Sequence, residues 1–287
     1  LRLFLENQDE FSDYNFEASG MSVLLDLLAY NTHYNAILAH MVSNEAFLDS
    51  AVRRNSVVSI AKTMGYTPRS ARSAKSAINL TVVPSSSYVS TSLTLTKDKQ
   101  FQSSVNGVTR NFVPDKDYVI SKTVEDGVAA FRFTDIRLIE GTRTTTSEII
   151  TTQNRSGPIV LENDNVDTTT ITVKVQTSTS NFNSETFTVA NDTLDVTSTS
   201  KIFYLEERTD GYYQIVFGDG ILGKQLDVGN IVIVEYVVCN ATLGNGARTF
   251  KPPASLTGSG ENISATTVTA GAGGFEKESA DSIRFNA

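Results

Sequence analysis

Two nucleotide-binding patterns overlap in Tyr213–Asn230, "YQIVFGDGILGKQLDVGN". Gly218, Gly220 and Gly223 spell G-x-G-x-x-G, while Gly218, Gly223 and Lys224 spell most of a P-loop, G-x-x-x-x-G-K. Both follow an apolar run that reads as a strand. In a dinucleotide fold the glycines lead directly into a helix whose free N–H groups and positive end hold the pyrophosphate. Here seven residues, Lys224 to Asn230, separate Gly223 from the next strand-like run, and they finish on Gly229-Asn230, which ends helices. A parallel crossover takes roughly ten to twelve residues or more. Gln225 also stands where a P-loop needs Ser or Thr to hold magnesium. The cluster therefore reads as a structural turn of Gly218, Asp219, Gly220 and Gly223. Within it, Asp219-Gly220 is a hairpin-turn dipeptide whose glycine takes positive φ without steric cost. No cofactor is expected.

Other chemistry-bearing residues fare no better. His33 and His40 are the only histidines and fall i, i+7 on one helical pattern, whereas a zinc pair wants i, i+4 and a third ligand. They read as packed or interface side chains, and no metal is expected. Glu206, Glu207 and Asp219 offer carboxylates, as a glycosidase requires. Neighbouring residues of a strand point to opposite faces, however, so Glu206 and Glu207 cannot share a substrate; they read as solvated surface acids. No serine sits in a G-x-S-x-G elbow. Nothing here forms a catalytic constellation, and no small-molecule substrate is expected.

The elements around these residues define an α+β chain: an N-terminal helical segment (1–76), a β-dominated multi-strand body (77–250), and a Gly/Ser/Thr/Pro-rich connector leading to a helical stub (251–287). After Ser19, the positions Leu24, Leu27, Leu28, Tyr34, Ile37, Leu38 and Met41 keep three- and four-residue steps, one face of a long helix. Asp49 is the expected N-cap of a second helix through Val52, Val57, Ile60, Ala61 and Met64, with Gly65 taking the left-handed terminal position and Pro68 beyond it. From Ile78, Thr, Ser and Val alternate. Residues 78–83 and 171–176 read as strands, and Asn106-Gly107 reads as a hairpin turn. Residues 231–239 are apolar on both faces except Glu235 and read as an interior strand. Residues 251–274 read as an extended connector, with helix resuming at Glu276.

Of the 287 residues, 40% are hydrophobic, enough for a sizeable core, and the formal net charge is −8. That sign disfavours a general nucleic-acid binder, which needs a basic face to displace counterions. The lone cysteine, Cys239, excludes an internal disulfide and reads as a small buried hydrophobe. Early acids disfavour a signal peptide, and no apolar run approaches the ~18 residues of a membrane span. The absent initiator Met suggests part of a longer chain. Residues 1–26 hold Glu6, Asp9, Glu10, Asp13, Glu17 and Asp26 against Arg2, whereas 51–75 hold Arg53, Arg54, Lys62, Arg69, Arg72 and Lys75 with no acid. These are complementary patches suited to steering subunit docking.

Three stretches together resemble a known family. Phe217–Gly220, Gly223, Leu226, Gly229-Asn230, the apolar run 231–239 and Gly244-Asn245-Gly246 follow the order of motifs in the baseplate-J-like family of contractile tails. Gly273, Gly274, Glu278, Ser279, Asp281, Ile283 and Arg284 are similar to its G-G-x-x-x-E-[ST]-x-[DE]-x-[IL]-R element. "DYNFEASGMSVLLDLLAYNTHYN" and "RRNSVVSIAKTMGYTPRSA" resemble the N-terminal part of wedge proteins from T-even-type contractile-tailed phages. The middle, about 80–200, carries no such likeness. The resemblance implies a non-enzymatic structural subunit of the virion tail baseplate, assembled in the host cytoplasm. Such a subunit pairs with itself and with other wedge subunits and shifts its contacts when contraction is triggered. The helical face 24–41 is then an interface. Two rivals remain at this level. One is a β-rich receptor- or glycan-binding tail protein, weakened by the absence of Trp. The other is an ATP-using assembly factor resting on the P-loop mimic alone.

Overall fold

A computed structural model describes residues 4–5, 7–9, 20–125, 127–190, 196–258 and 260–287. The class is α+β, and the chain divides into two compact units, residues 1–65 with 280–287, and residues 66–279.

The first unit holds α1 (Gly20–Glu45), α2 (Arg54–Thr63) and the C-terminal α3 (Ala280–Asn286). Helix α2 buries Val57, Val58 and Ala61, and α3, which packs on it, buries Ile283. The expected Asp49 cap is not used. Arg53 occupies the cap position without a side-chain bond, and Glu45 at the end of α1 accepts the Val52 and Arg53 amides at 3.0 and 3.2 Å. This carboxylate thus caps the entry to α2, where free N–H groups favour an anion. Its pKa is held below the usual carboxylate range, first by the Ser56 hydroxyl. Gly65 ends α2 at φ +82°, as its sequence position anticipates.

The second unit contains two sheets. The first follows the order β15 (Asn262–Ala272), β1 (Lys75–Val83), β7 (Val128–Glu140), β4 (Val108–Pro114), β3 (Phe101–Val105), with β6 (Thr123–Glu125) also on β7. A two-stranded ribbon, β2 (Ser92–Leu95) with β5 (Tyr118–Ser121), helps cover its core of Ile78, Leu80, Phe101, Phe112, Phe131 and Leu138. The second sheet runs β8 (Thr142–Ile149), β14 (Ile231–Val238), β10 (Val166–Gln176), β11 (Ser184–Val189), β12 (Ile202–Glu207), β13 (Tyr213–Phe217), β9 (Ile159–Leu161). It encloses a separate core around Leu161, Val173, Phe203, Ile215 and Tyr236. The 78–83 and 171–176 strands lie inside β1 and β10, and the 231–239 run forms β14, interior between β8 and β10. Asn106 and Gly107 both take positive φ, 52° and 79°, between β3 and β4, the geometry a two-residue hairpin requires.

The connector expected across 251–274 is corrected. Asn262–Ala272 is an eleven-residue strand that pairs antiparallel with β1 from Val83 to Lys75. Its Ser, Thr and Gly content conceals a strand because one edge faces solvent, so only a weak alternation is needed. The body therefore includes residues assigned to the connector.

The chain passes between sheets at Gly141, which sits between β7 and β8 at φ +126°. A Cβ there would lie 2.3 Å from the Val238 carbonyl oxygen. Gly141→Ala should therefore lower stability by about 2–4 kcal/mol, from strained backbone plus a displaced strand. Urea unfolding of the variant measures this, and an unchanged midpoint would show that the crossing tolerates a side chain.

Candidate functional site

The glycine cluster follows β13. The Asp219 carboxylate accepts the Leu222 and Ile221 amides at 3.0 and 2.9 Å, which hold its pKa below the usual range, and Gly220 at φ +92° donates to the Gly223 carbonyl at 3.0 Å. Gly218 and Gly223 are so close that a Cβ on Gly218 would lie 2.3 Å from the Gly223 carbonyl carbon. The turn is then anchored sideways: Gly223 and Lys224 donate their amides to the Thr197 and Ser200 carbonyls. The Lys224 ammonium reaches Glu185 at 2.6 Å. One detail differs from the sequence expectation. Strands β13 and β14 are not neighbours, so Asp219-Gly220 does not tip a hairpin; it opens a crossing between distant strands. No helix intervenes before β14. The geometry shapes backbone, and the lysine a phosphate would need is engaged by a carboxylate. Titration of ATP or NAD should give no saturable binding, and micromolar affinity abolished by Lys224→Ala would contradict the turn as described.

The remaining motif residues converge on a seam of buried carboxylates. Glu140, fully buried at the end of β7, accepts the Asn240 amide at 2.9 Å and its side-chain Nδ2 at 2.6 Å. Asp167 in β10, equally buried, accepts the Ser73 and Thr169 amides at 2.9 and 3.0 Å and the Thr169 hydroxyl at 2.6 Å. Glu235, the polar interruption in β14, takes Lys97 at 2.5 Å and Arg143 at 3.0 Å, while Arg143 also donates to the Pro114 carbonyl. Asn245 brackets Gly274 from both sides, accepting its amide and donating to its carbonyl, and a Cβ on Gly274 would lie 2.2 Å from the Ala241 oxygen. Gly244 packs against Ala74 and Glu140, and Gly246 donates to Gly271. The glycines of the late G-N-G and G-G pairs thus let three backbones meet. Cys239 lies in the same region, buried, its thiol pKa pushed up by that burial.

Glu278 closes the arrangement. Its buried carboxylate accepts the Arg69 amide at 2.9 Å, the Tyr66 hydroxyl at 2.9 Å and the Arg69 guanidinium at 3.4 Å, while its own amide donates to the Arg69 carbonyl. Arg72 and Phe275 exchange both backbone bonds alongside. Lys277 reaches Glu207 at 2.9 Å and lies over the Tyr213 ring. The segments entering and leaving the second unit are therefore tied together. Glu207 is buried, correcting its reading as a solvated acid, whereas Glu206 accepts from Gln214. Glu206, Glu207 and Asp219 thus face three different partners. In the first unit, Arg284 pairs with Asp281 and donates to the Asp49 carbonyl.

The helical face behaves differently. Leu24, Leu27, Leu28, Tyr34, Ile37, Leu38 and Met41 are all exposed, Leu27 by 62%, and Leu25 is the buried residue of α1. His33 and His40 stand exposed on the same helix, and among the described residues no group of three His, Cys, Asp or Glu could hold a metal ion. No helix among them is long and apolar enough to cross a membrane. In the basic stretch, Arg69 is engaged by Glu278. Of the acidic patch, Asp9 and Asp26 are described, while Glu6, Glu10, Asp13, Glu17 and the opposing Arg2 lie outside the described residues.

With this geometry in place, the chain can be set beside the proteins it is similar to. Residues 1–66 match the family described as "Baseplate wedge protein gp6-like, helical domain", and residues 145–239 match "Bacteriophage baseplate wedge protein gp6, third domain". Over 277 residues the chain is 29% identical to "Baseplate wedge protein gp6" of Enterobacteria phage T4, covering 88% of this chain and 39% of that protein. The chain thus spans about two fifths of its relative's length. These likenesses support a place in the baseplate wedge protein family.

Truncating Glu278 tests the tie between the two segments. Glu278→Ala leaves the Arg69 amide and Tyr66 hydroxyl without this partner, so stability should fall by about 3 kcal/mol, roughly 10 °C in thermal midpoint. Calorimetry giving a shift under a degree would show the tie to be energetically idle.

Proposed function

We propose that this chain is a structural, non-enzymatic part of a contractile-tail baseplate wedge and that the apolar face of α1 is its assembly surface. The observation that carries the reading is that face itself. A 26-residue helix leaves Leu24, Leu27, Leu28, Tyr34, Ile37, Leu38 and Met41 in water. Burying a Leu contributes about 1.5–3 kcal/mol, so a partner that covers several of them gains substantially. Such a contiguous apolar surface marks an interaction site. The wedge likeness favours other baseplate subunits as partners, and the proposal adds a second copy of the chain, packed by coiled-coil-like seams. The likeness also supports a location in the virion tail baseplate; assembly in the host cytoplasm and baseplate-J-like kinship of the glycine motifs are further parts of the proposal. Contraction would then exchange one packing arrangement for another rather than perform catalysis. The glycan-binding alternative gains nothing from these likenesses.

Leu27→Asp discriminates. The side chain is exposed in the isolated chain, so its circular dichroism should be unchanged. An unpaired charge in the assembled seam costs several kcal/mol, so co-purification with co-expressed wedge subunits should be lost. Normal assembly of the variant would remove α1 from the interface.

A further inference from the structure

The second sheet has two ends, β8 and β9, and they approach each other. Strand β9 connects to β10 through residues 162–165 alone, although β11, β12 and β13 lie between them in the sheet order. So short a link forces the sheet to curl. Tyr236 of β14, beside the end strand β8, donates its hydroxyl to Asn163, just past β9, at 2.6 Å. The Thr146 hydroxyl of β8 lies 3.4 Å from the same oxygen. The sheet is therefore a barrel left open along one seam, and the seam is a cleft of about 530 Å³. One wall is Thr146–Glu148 of β8, and the other is Ile159 and Val160 of β9 with Glu162.

Among the described residues each wall is a strand with one pairing partner: β8 pairs with β14 and β9 with β13. Following the pairings around the sheet, antiparallel except β11 with β12, β8 and β9 run in opposite directions. One added strand would run antiparallel to one wall and parallel to the other, and would satisfy both edges at once. Exposed edges offer a row of backbone donors and acceptors that pair readily with another chain. The lining includes the carboxylates of Glu148 and Glu162 and no Lys or Arg. Glu148 takes a bond from Asn154, which leaves its charge uncompensated in that contact.

We propose that the cleft between β8 and β9 is a docking slot for one extended segment of a partner protein, held by strand addition to both edges and carrying a Lys or Arg that faces Glu148 and Glu162. The slot is distinct from the face of α1, and its test does not require wedge subunits.

The probes are acetylated peptides Thr-Val-Thr-X-Thr-Val-Thr with X as Lys, Arg, Gln or Glu, measured by hydrogen exchange and equilibrium binding at low and physiological salt. The Lys and Arg peptides should slow exchange in both 142–149 and 159–161 and bind at least tenfold more tightly than the Glu peptide. The preference should vanish in Glu148→Lys/Glu162→Lys, or in Glu162→Lys alone if the double variant fails to fold. Protection of one edge only, protection at β3 or β15 instead, equal binding of all four peptides, or no binding would each overturn the slot.

Discussion

Backbone amides held by buried carboxylates are the constraint on which the second unit depends. Glu140, Asp167 and Glu278 each accept main-chain N–H groups from segments distant in sequence. Two sheets with separate cores meet where these bonds form, and the apolar contact there is small, limited to clusters such as Val113, Ile139 and Val237. Desolvating a carboxylate is expensive, so such bonds add less net stability than their number suggests. What they supply is geometry. A carboxylate that must find two specific amides fixes register in a way that interchangeable methyl groups cannot, and the close backbone approaches at Gly141, Gly244 and Gly274 leave no room for slippage.

The two units treat their apolar residues differently. In the second unit the large side chains of each sheet's core are buried, with a handful of polar groups such as Glu140 and Asp167 among the buried residues. In the first unit α1 does the reverse, exposing its apolar residues, while α2 buries Val57, Val58 and Ala61 and α3 buries Ile283 but exposes Phe285. The helical-domain and third-domain likenesses fall on these two regions respectively.

Much of this was legible in the sequence, for identifiable reasons. The stripe from Leu24 to Met41, the hairpin at Asn106-Gly107 and the interior strand with Glu235 each carry a local signal, either a period or a turn dipeptide. The glycine cluster was legible as a turn because the spacing to the next strand leaves no space for a helix. Its role in a crossing was not, because strand order is a non-local property. Strand β15 was missed because "NISATTVTAGA" has the composition of a linker, and only its pairing with β1 makes it a strand. Glu207 looked like an ordinary surface acid, since nothing local announces that Lys277 will meet it. The motif containing Glu278 was visible as a resemblance, but its physical work, joining residue 69 to residue 278, was not.

The central claim is that the apolar face of α1 is covered by assembly while the body is complete alone. Amide hydrogen exchange on the isolated chain and on the same chain within a reconstituted wedge measures it directly. The account predicts fast exchange across residues 20–45 in isolation and strong protection there after assembly, with β1, β7, β10 and β14 equally protected in both states. Protection of 20–45 already at its full level in the isolated chain, unchanged by assembly, would contradict it.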